Sequence, residues 1–217
     1  MDTISMLLLL PPSESKSPNS TGNILSSKLF GPDHVARIRT LFENPQYSSK
    51  EYCDFSNTLE AGVRYTGVVW KEIDFSAPQL EQILIPNPVL MLSNYYDYIP
   101  NYKLNYKPSD AKLSKDLELY RKELLNNYFL NNSEIILDFT TVDIRNSIYT
   151  DKTRSLKNIY KFNYSSANKK LLGHQGKSVK GKHVNNILFN FDLSSTSFKS
   201  RDIVKLCLEA GVYLTID

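Results

Sequence analysis

The chain has 217 residues, of which 41% are hydrophobic, 23% charged and 12% aromatic, and its 26 Lys/Arg against 23 Asp/Glu give a formal charge of +3. A chain of this length buries enough surface for a core without metal or disulfide staples, so collagen-like, disulfide-scaffold and wholly disordered classes are excluded. One domain is the leading count, and two cysteines, Cys53 and Cys207, form neither a disulfide framework nor a zinc site, which points to a reducing, intracellular address.

In chain order, Met6–Leu10 reads as a short buried strand ended by Pro11-Pro12, which cannot donate to a ladder. The run is too short for a membrane helix and lacks the cationic start of a signal peptide. Asp33 is expected to cap a helix reaching Phe42, with Val35, Ile38, Leu41 and Phe42 at helical spacing. A second helix is expected over Ser49–Leu59, and a buried strand over Val89–Ser93. Asp110–Phe129 is the longest amphipathic helix. Ile135–Phe139, Ile159–Tyr164 and Val212–Ile216 read as strands, and Lys177–Leu188 and Ser200–Glu209 as helices, the latter closed by Gly211. Ser13–Ser27 and Asn94–Pro108 read as irregular, and long ordered loops often carry sites. Alternating strands and helices indicate a single α/β (mixed α+β) domain.

Charge is segregated along the chain. Residues 1–150 carry 14 Lys/Arg and 18 Asp/Glu, net −4, whereas residues 151–217 carry 12 and 5, net +7. From Lys152 to Phe191 there are nine basic side chains and no acidic one. Such clustering attracts phosphate, in a polymer or in a small ligand.

Three motifs have the residue types for chemistry. Leu10-Pro11-Pro12-Ser13-Glu14-Ser15-Lys16 leaves the end of a buried strand, where ligand crevices open in α/β sheets. The prolines remove amide donors, so an anion there would use the side chains of Ser13, Ser15 and Lys16. Ser13 and Lys16 match a Ser-x-x-Lys pattern, but the companion elements of penicillin-binding enzymes are missing. Arg64-Tyr65-Thr66-Gly67 offers a guanidinium fork beside two hydroxyls, suited to carboxylate or phosphate; an arginine pairing with a core acid would look the same. In Gly173-His174-Gln175-Gly176-Lys177-Ser178-Val179-Lys180-Gly181-Lys182-His183, a helix starting near Gly176 puts Lys177 and Lys180 on one face. Paired ammoniums depress each other's pKa, which suits a base, a Schiff-base nucleophile or a phosphate clamp. The three histidines, His34, His174 and His183, form no His-x-x-x-His, and there is no Cys-x-x-Cys, dinucleotide fingerprint or Walker loop. Neither a metal nor a cofactor is expected.

Taken in order, these motifs resemble the YaaA peroxide-stress protein family. The resemblance runs through Leu7–Lys16, Arg64–Gly67, Leu92-Ser93 with Ile99-Pro100-Asn101-Tyr102-Lys103-Leu104, Ile136-Leu137-Asp138, His174 with Lys177 and Lys180-Gly181, and the closing Glu209-Ala210-Gly211-Val212-Tyr213-Leu214. It implies one YaaA-like domain over residues 6–217, a mixed sheet flanked by helices, with Met1–Ser5 as an extension. It also implies a cytoplasmic protein of the peroxide (oxidative) stress response that limits free iron and is associated with DNA binding. The site carried over comprises Ser13, Lys16, Arg64, Tyr65, Thr66, Lys103, His174, Lys177 and Lys180. The chain departs from the pattern where Lys103 replaces the usual arginine and where Val35–Leu59 lacks a helix-hairpin-helix glycine.

Two functions from different classes follow. In the first, double-stranded DNA binds the basic C-terminal third through Lys169, Lys170, Lys177, Lys180 and Lys182. In the second, a small anionic ligand, phosphorylated or nucleoside-like, occupies an enzyme pocket. There Lys177 or Lys180 would be base or nucleophile alongside His174, Tyr65 a proton donor and Arg64 the anion anchor, with Ser13, Lys16, Thr66 and Lys103 as further ligand contacts. A non-catalytic scaffold with a vestigial pocket is the third alternative. No membrane partner is expected.

Overall fold

The computed structural model describes residues 6–43, 53–104, 115–132, 134–166, 169–170, 173–194, 202, 205 and 213–216. They form a mixed α/β structure in which a seven-stranded sheet and a two-stranded sheet are flanked by helices.

Strand β1 (Met6–Leu9) lies inside the larger sheet, and its four side chains are all buried. On one side it pairs in parallel with β3 (Ile83–Asn87), Leu8 opposite Ile83. On the other it pairs in parallel with β6 (Ile135–Asp138), Leu8 opposite Leu137. A strand covered on both faces needs a continuous apolar run rather than alternation, which is what Met-Leu-Leu-Leu supplies. β4 (Met91–Asn94) adds antiparallel to β3, and β7 (Ile159–Ser166) adds parallel to β6. β8 (Lys169–Lys170) and β9 (Tyr213–Ile216) each pair antiparallel with β7. The connection leaving β1 leads towards β3 and the one leaving β6 leads towards β7, so the chain diverges between these two adjacent parallel strands. Ligand crevices of open α/β sheets lie at such a divergence, outside the carboxyl ends of the strands.

The smaller sheet joins β2 (Cys53–Glu60) to β5 (Tyr98–Tyr102) with a register shift between Asp54 and Thr58. Two expectations are corrected here. The helix expected to end at Leu59 is instead the strand Cys53–Glu60, and residues 44–52 fall outside the described set. Phe55 and Leu59 sit four apart and mimic a helical face, but pairing with β5 decides the conformation, as context commonly does for strands. The Asn94–Pro108 stretch likewise contains β5, with Pro100 tolerated because a two-stranded sheet has only edges.

Helix α1 (Gly31–Phe42) is not capped by Asp33: Phe30 is the N-cap residue and Asp33 lies in the first turn, behind Pro32. A proline there forfeits no helical hydrogen bond, and an aspartate there faces the positive end of the helix dipole. Val35, Ile38, Phe42 and His34 form its buried face. The strand expected at Val89–Ser93 begins two residues later, because Asn87 Oδ1 accepts from the amides of Val89 at 3.1 Å and Leu90 at 2.6 Å and folds them into a turn. Two single-turn helices follow β2, α2 (Ala61–Arg64) and α3 (Val68–Lys71). Later come α4 (Lys115–Asn131), α5 (Val142–Ile148), α6 (Asp151–Arg154) and the long α7 (Gly173–Asn190). The expected helix Ser200–Glu209 falls largely outside the described residues, and its closing Gly211 does so entirely.

α7 is seated by two contacts. A Cβ at Gly181 would stand 2.4 Å from the Val69 carbonyl oxygen, so glycine is what lets α7 approach α3. Ser178 Oγ donates to Glu72 Oε1 at 2.5 Å beside it. On its inner side His183 is buried against Phe139 and Phe162, with Nδ1 2.8 Å from the Tyr164 hydroxyl.

Candidate functional site

The segment leaving β1 is fixed to the chain around α2 by backbone bonds. Ser17 N donates to Arg64 O at 2.8 Å, Thr66 N donates to Ser15 O at 3.0 Å, and Lys16 bridges Tyr65. Proline cannot donate, yet Pro11 still accepts, from Trp70 Nε1 at 3.1 Å. Ser13 turns the chain by accepting from Ser15 N at 3.2 Å. Gly67 is required opposite it: a Cβ there would lie 2.0 Å from Ser13 Oγ.

Arg64 holds this segment from beneath. It is 0% exposed; Nη1 donates to the carbonyls of Ser17 at 2.6 Å and Asn19 at 2.9 Å, and Nη2 to Asn57 O at 2.8 Å and Asn57 Oδ1 at 3.0 Å. The guanidinium is a brace for the loop and not a wall of the cleft, so the anion-anchor role expected of it is corrected. Tyr65 is also interior, its hydroxyl 2.5 Å from that of Tyr102, and burial pushes its phenol well above the ordinary range. Tyr102, whose hydroxyl is the partner of Tyr65, is itself among the residues that line the cleft.

The cleft itself has a volume of about 650 Å³. One wall is the Pro11–Lys16 segment; Thr66–Lys71, including Trp70, forms the floor. Thr141, Asp143 and Ile144, arriving from the end of β6, and His174, Lys177 and Lys180 of α7 form the opposite side. Six sequence-predicted residues thus meet: Ser13, Lys16, Thr66, His174, Lys177 and Lys180. Four lysines (Lys16, Lys71, Lys177 and Lys180) face two carboxylates (Glu14 and Asp143), so the cleft is electropositive.

The lysines differ in setting. Lys180 is half-buried and its Nζ donates to the Phe139 carbonyl. Lys177 is exposed, as is His174. Lys16 lies with its Nζ 4.4 Å from the centroid of the Tyr102 ring and 3.4 Å from Glu14 O. Burial lowers its pKa to about 8; Glu14 pulls the other way, and Arg64 adds to the lowering.

Other expected contacts do not line the cleft. Lys103 is exposed while its neighbours Tyr102 and Leu104 line it, and Lys182 is exposed on α7, two residues from Lys180 and hence on another face. Lys169 and Lys170 form β8.

Sequence reasoning passed over the group behind the β6 side. Asp138 closes β6 fully buried, with Oδ1 accepting from Thr140 N at 2.7 Å and Thr140 Oγ1 at 2.6 Å. Its Oδ2 accepts from Arg145 Nε at 3.2 Å and from the Tyr149 hydroxyl at 3.0 Å. Arg145 also donates to Asn163 Oδ1 at 2.9 Å and to Phe162 O at 3.0 Å, joining the ends of β6 and β7. The available signal was Asp138 itself, since a carboxylate ending an apolar strand needs a cation. Trp70 and Thr141 carried no such signal.

Among the described residues no group of three or more His, Cys, Asp or Glu side chains is placed to hold a metal ion, and no helix is long and apolar enough to cross a membrane. No protein-family model matches the chain, and no curated protein matches it.

Proposed function

We propose that the cleft is an enzyme pocket for a small anionic ligand, phosphorylated or nucleoside-like, in a cytoplasmic protein of the YaaA type. One observation carries this reading: residues from five separate stretches of sequence converge on a lysine-rich cleft at the chain's point of divergence. Pocket residues are scattered and polar in sequence, whereas a duplex-binding face is more often a continuous stripe. Lys177, Lys180 and Ser13 hold the anion, and Trp70 and Tyr102 offer aromatic surface for a base or an apolar body.

The second reading is a peroxide-stress protein that binds double-stranded DNA and limits free iron. It is favoured by the nine basic residues from Lys152 to Phe191, a stretch that contains no acidic residue. Calorimetric titration with adenosine 5′-monophosphate, alongside fluorescence anisotropy of a labelled duplex at low and physiological salt, separates the two. The cleft reading expects saturable heat with the nucleotide, lost in Lys177→Ala/Lys180→Ala, and duplex binding that vanishes at physiological salt. Tight duplex binding at physiological salt without nucleotide heat overturns it in favour of the DNA reading.

A further inference from the structure

The cleft's lysines are not equivalent as nucleophiles. An amine attacks a carbonyl only when neutral, so a reactive lysine must be partly desolvated, near another cation and not neutralised by a carboxylate. Lys16 meets each condition. It is half-buried at the end of the β1 segment, tethered through its backbone to Tyr65, and its Nζ is held against the Tyr102 ring at 4.4 Å. The hydrogen-bond acceptor of that Nζ is a neutral carbonyl, Glu14 O at 3.4 Å, and among the described residues it forms no ion pair. The buried Arg64 guanidinium lies behind it and disfavours its protonation, while the Glu14 carboxylate favours it. The other charged groups facing the cleft are Lys71, Asp143, His174, Lys177 and Lys180. Of these, Lys180 is tied to the Phe139 carbonyl and Lys177 is exposed.

From this arrangement we infer that Lys16 is an imine-forming amine and that the cleft takes an aldehyde or ketone bearing an anionic group. The inference rests on the cleft reading above. The neutral Nζ attacks the carbonyl carbon: a C–N bond forms as the C=O π pair moves to oxygen, which takes up a proton while nitrogen releases one. The carbinolamine hydroxyl then takes up a proton from solvent and leaves as water, the C–O bond breaking as the nitrogen lone pair forms the protonated C=N. The anionic group meets the ammoniums of Lys177 and Lys180 across the cleft. Burial, which lowers the Lys16 pKa to about 8, supplies the neutral amine near physiological pH.

The test uses glycolaldehyde phosphate and unphosphorylated glycolaldehyde as probes on the full chain at pH 8, with cyanoborohydride to reduce the imine and mass spectrometry to locate it. Lys16 is expected to be modified about tenfold faster than surface lysines by the phosphorylated probe. Roughly half its amines are neutral at that pH, against fewer than about one in 200 for an ordinary lysine. The preference is expected to shrink with glycolaldehyde, and the fast phase to disappear in Lys16→Arg, which keeps the charge over Tyr102 but forms no imine. In parallel, glycolaldehyde phosphate is expected to protect Lys177 from acetylation by acetic anhydride. Lys16 modification no faster than that of surface lysines, with Lys177 still protected, overturns the imine inference and leaves the cleft reading standing. Loss of both signals overturns both.

Discussion

Arg64 shows how a residue suited to binding is put to structural use. Four acceptors on residues 17, 19 and 57 surround its guanidinium. Arg64→Met leaves these oxygens without donors, a loss of about 3 kcal/mol of stability. The urea midpoint measures that loss, and limited proteolysis is expected to begin cutting at Ser13–Ser20. A midpoint unchanged within error contradicts the bracing role. Arginine next to tyrosine and threonine reads the same from sequence whether it faces an anion or its own backbone, so composition alone did not distinguish the two.

At the scale of elements, the decisive contacts are close approaches. Gly67 allows the α3 entry to touch the β1 segment, and a Cβ there would meet Ser13 Oγ at 2.0 Å and Ser13 Cβ at 2.9 Å. Gly67→Ala is expected to cost about 1–3 kcal/mol, in the range of overpacking. Ser13→Gly removes both clashing atoms, so in that background the same substitution is expected to cost much less, a coupling that a double-mutant cycle on thermal unfolding measures. Additive effects contradict the contact. Elements were legible where a signal is local. β1 and β6 are short apolar runs, β7 alternates apolar residues with Lys161 and Asn163, and α1 and α7 have helical periodicity. β2 and β5 were not legible, because Cys53 pairs with Tyr102 and no local pattern encodes a partner so distant in sequence. The cleft was half legible for the same reason: Ser13, Lys16, Lys177 and Lys180 sit in short polar motifs, whereas Trp70 and Thr141 become site residues only through tertiary placement.

For the molecule as a whole, pH acts through a histidine far from the cleft. His34 is buried, with Nδ1 2.7 Å from the Tyr120 hydroxyl of α4 and Nε2 3.2 Å from Leu90 O, and burial lowers its pKa below that of an ordinary imidazole. The unfolded chain therefore takes up a proton that the folded one resists, so the stability His34 contributes is present above the ordinary imidazole value of about 6.5 and is lost as pH falls from there through the lowered folded-state pKa. Urea midpoints at pH 7.5 and pH 5.5 are expected to fall in the wild type and to fall less in His34→Gln; equal falls contradict the assignment.

The position of β1 has a consequence for how the chain is made. Its partners lie far downstream: Leu9 precedes Ile83 of β3 by 74 residues and Ile135 of β6 by 126. At a synthesis rate of about 5–20 residues per second, the strand is synthesised roughly 4–15 s before its first partner and up to about 25 s before its second. Until β3 is made, Met6–Leu10, the most apolar run in the first third of the chain, has neither neighbour of its final sheet to bury it, and until β6 is made it has one. The strand that ends buried inside the larger sheet begins as an exposed adhesive run, and Pro11-Pro12 immediately after it limits how far an intermolecular strand could extend.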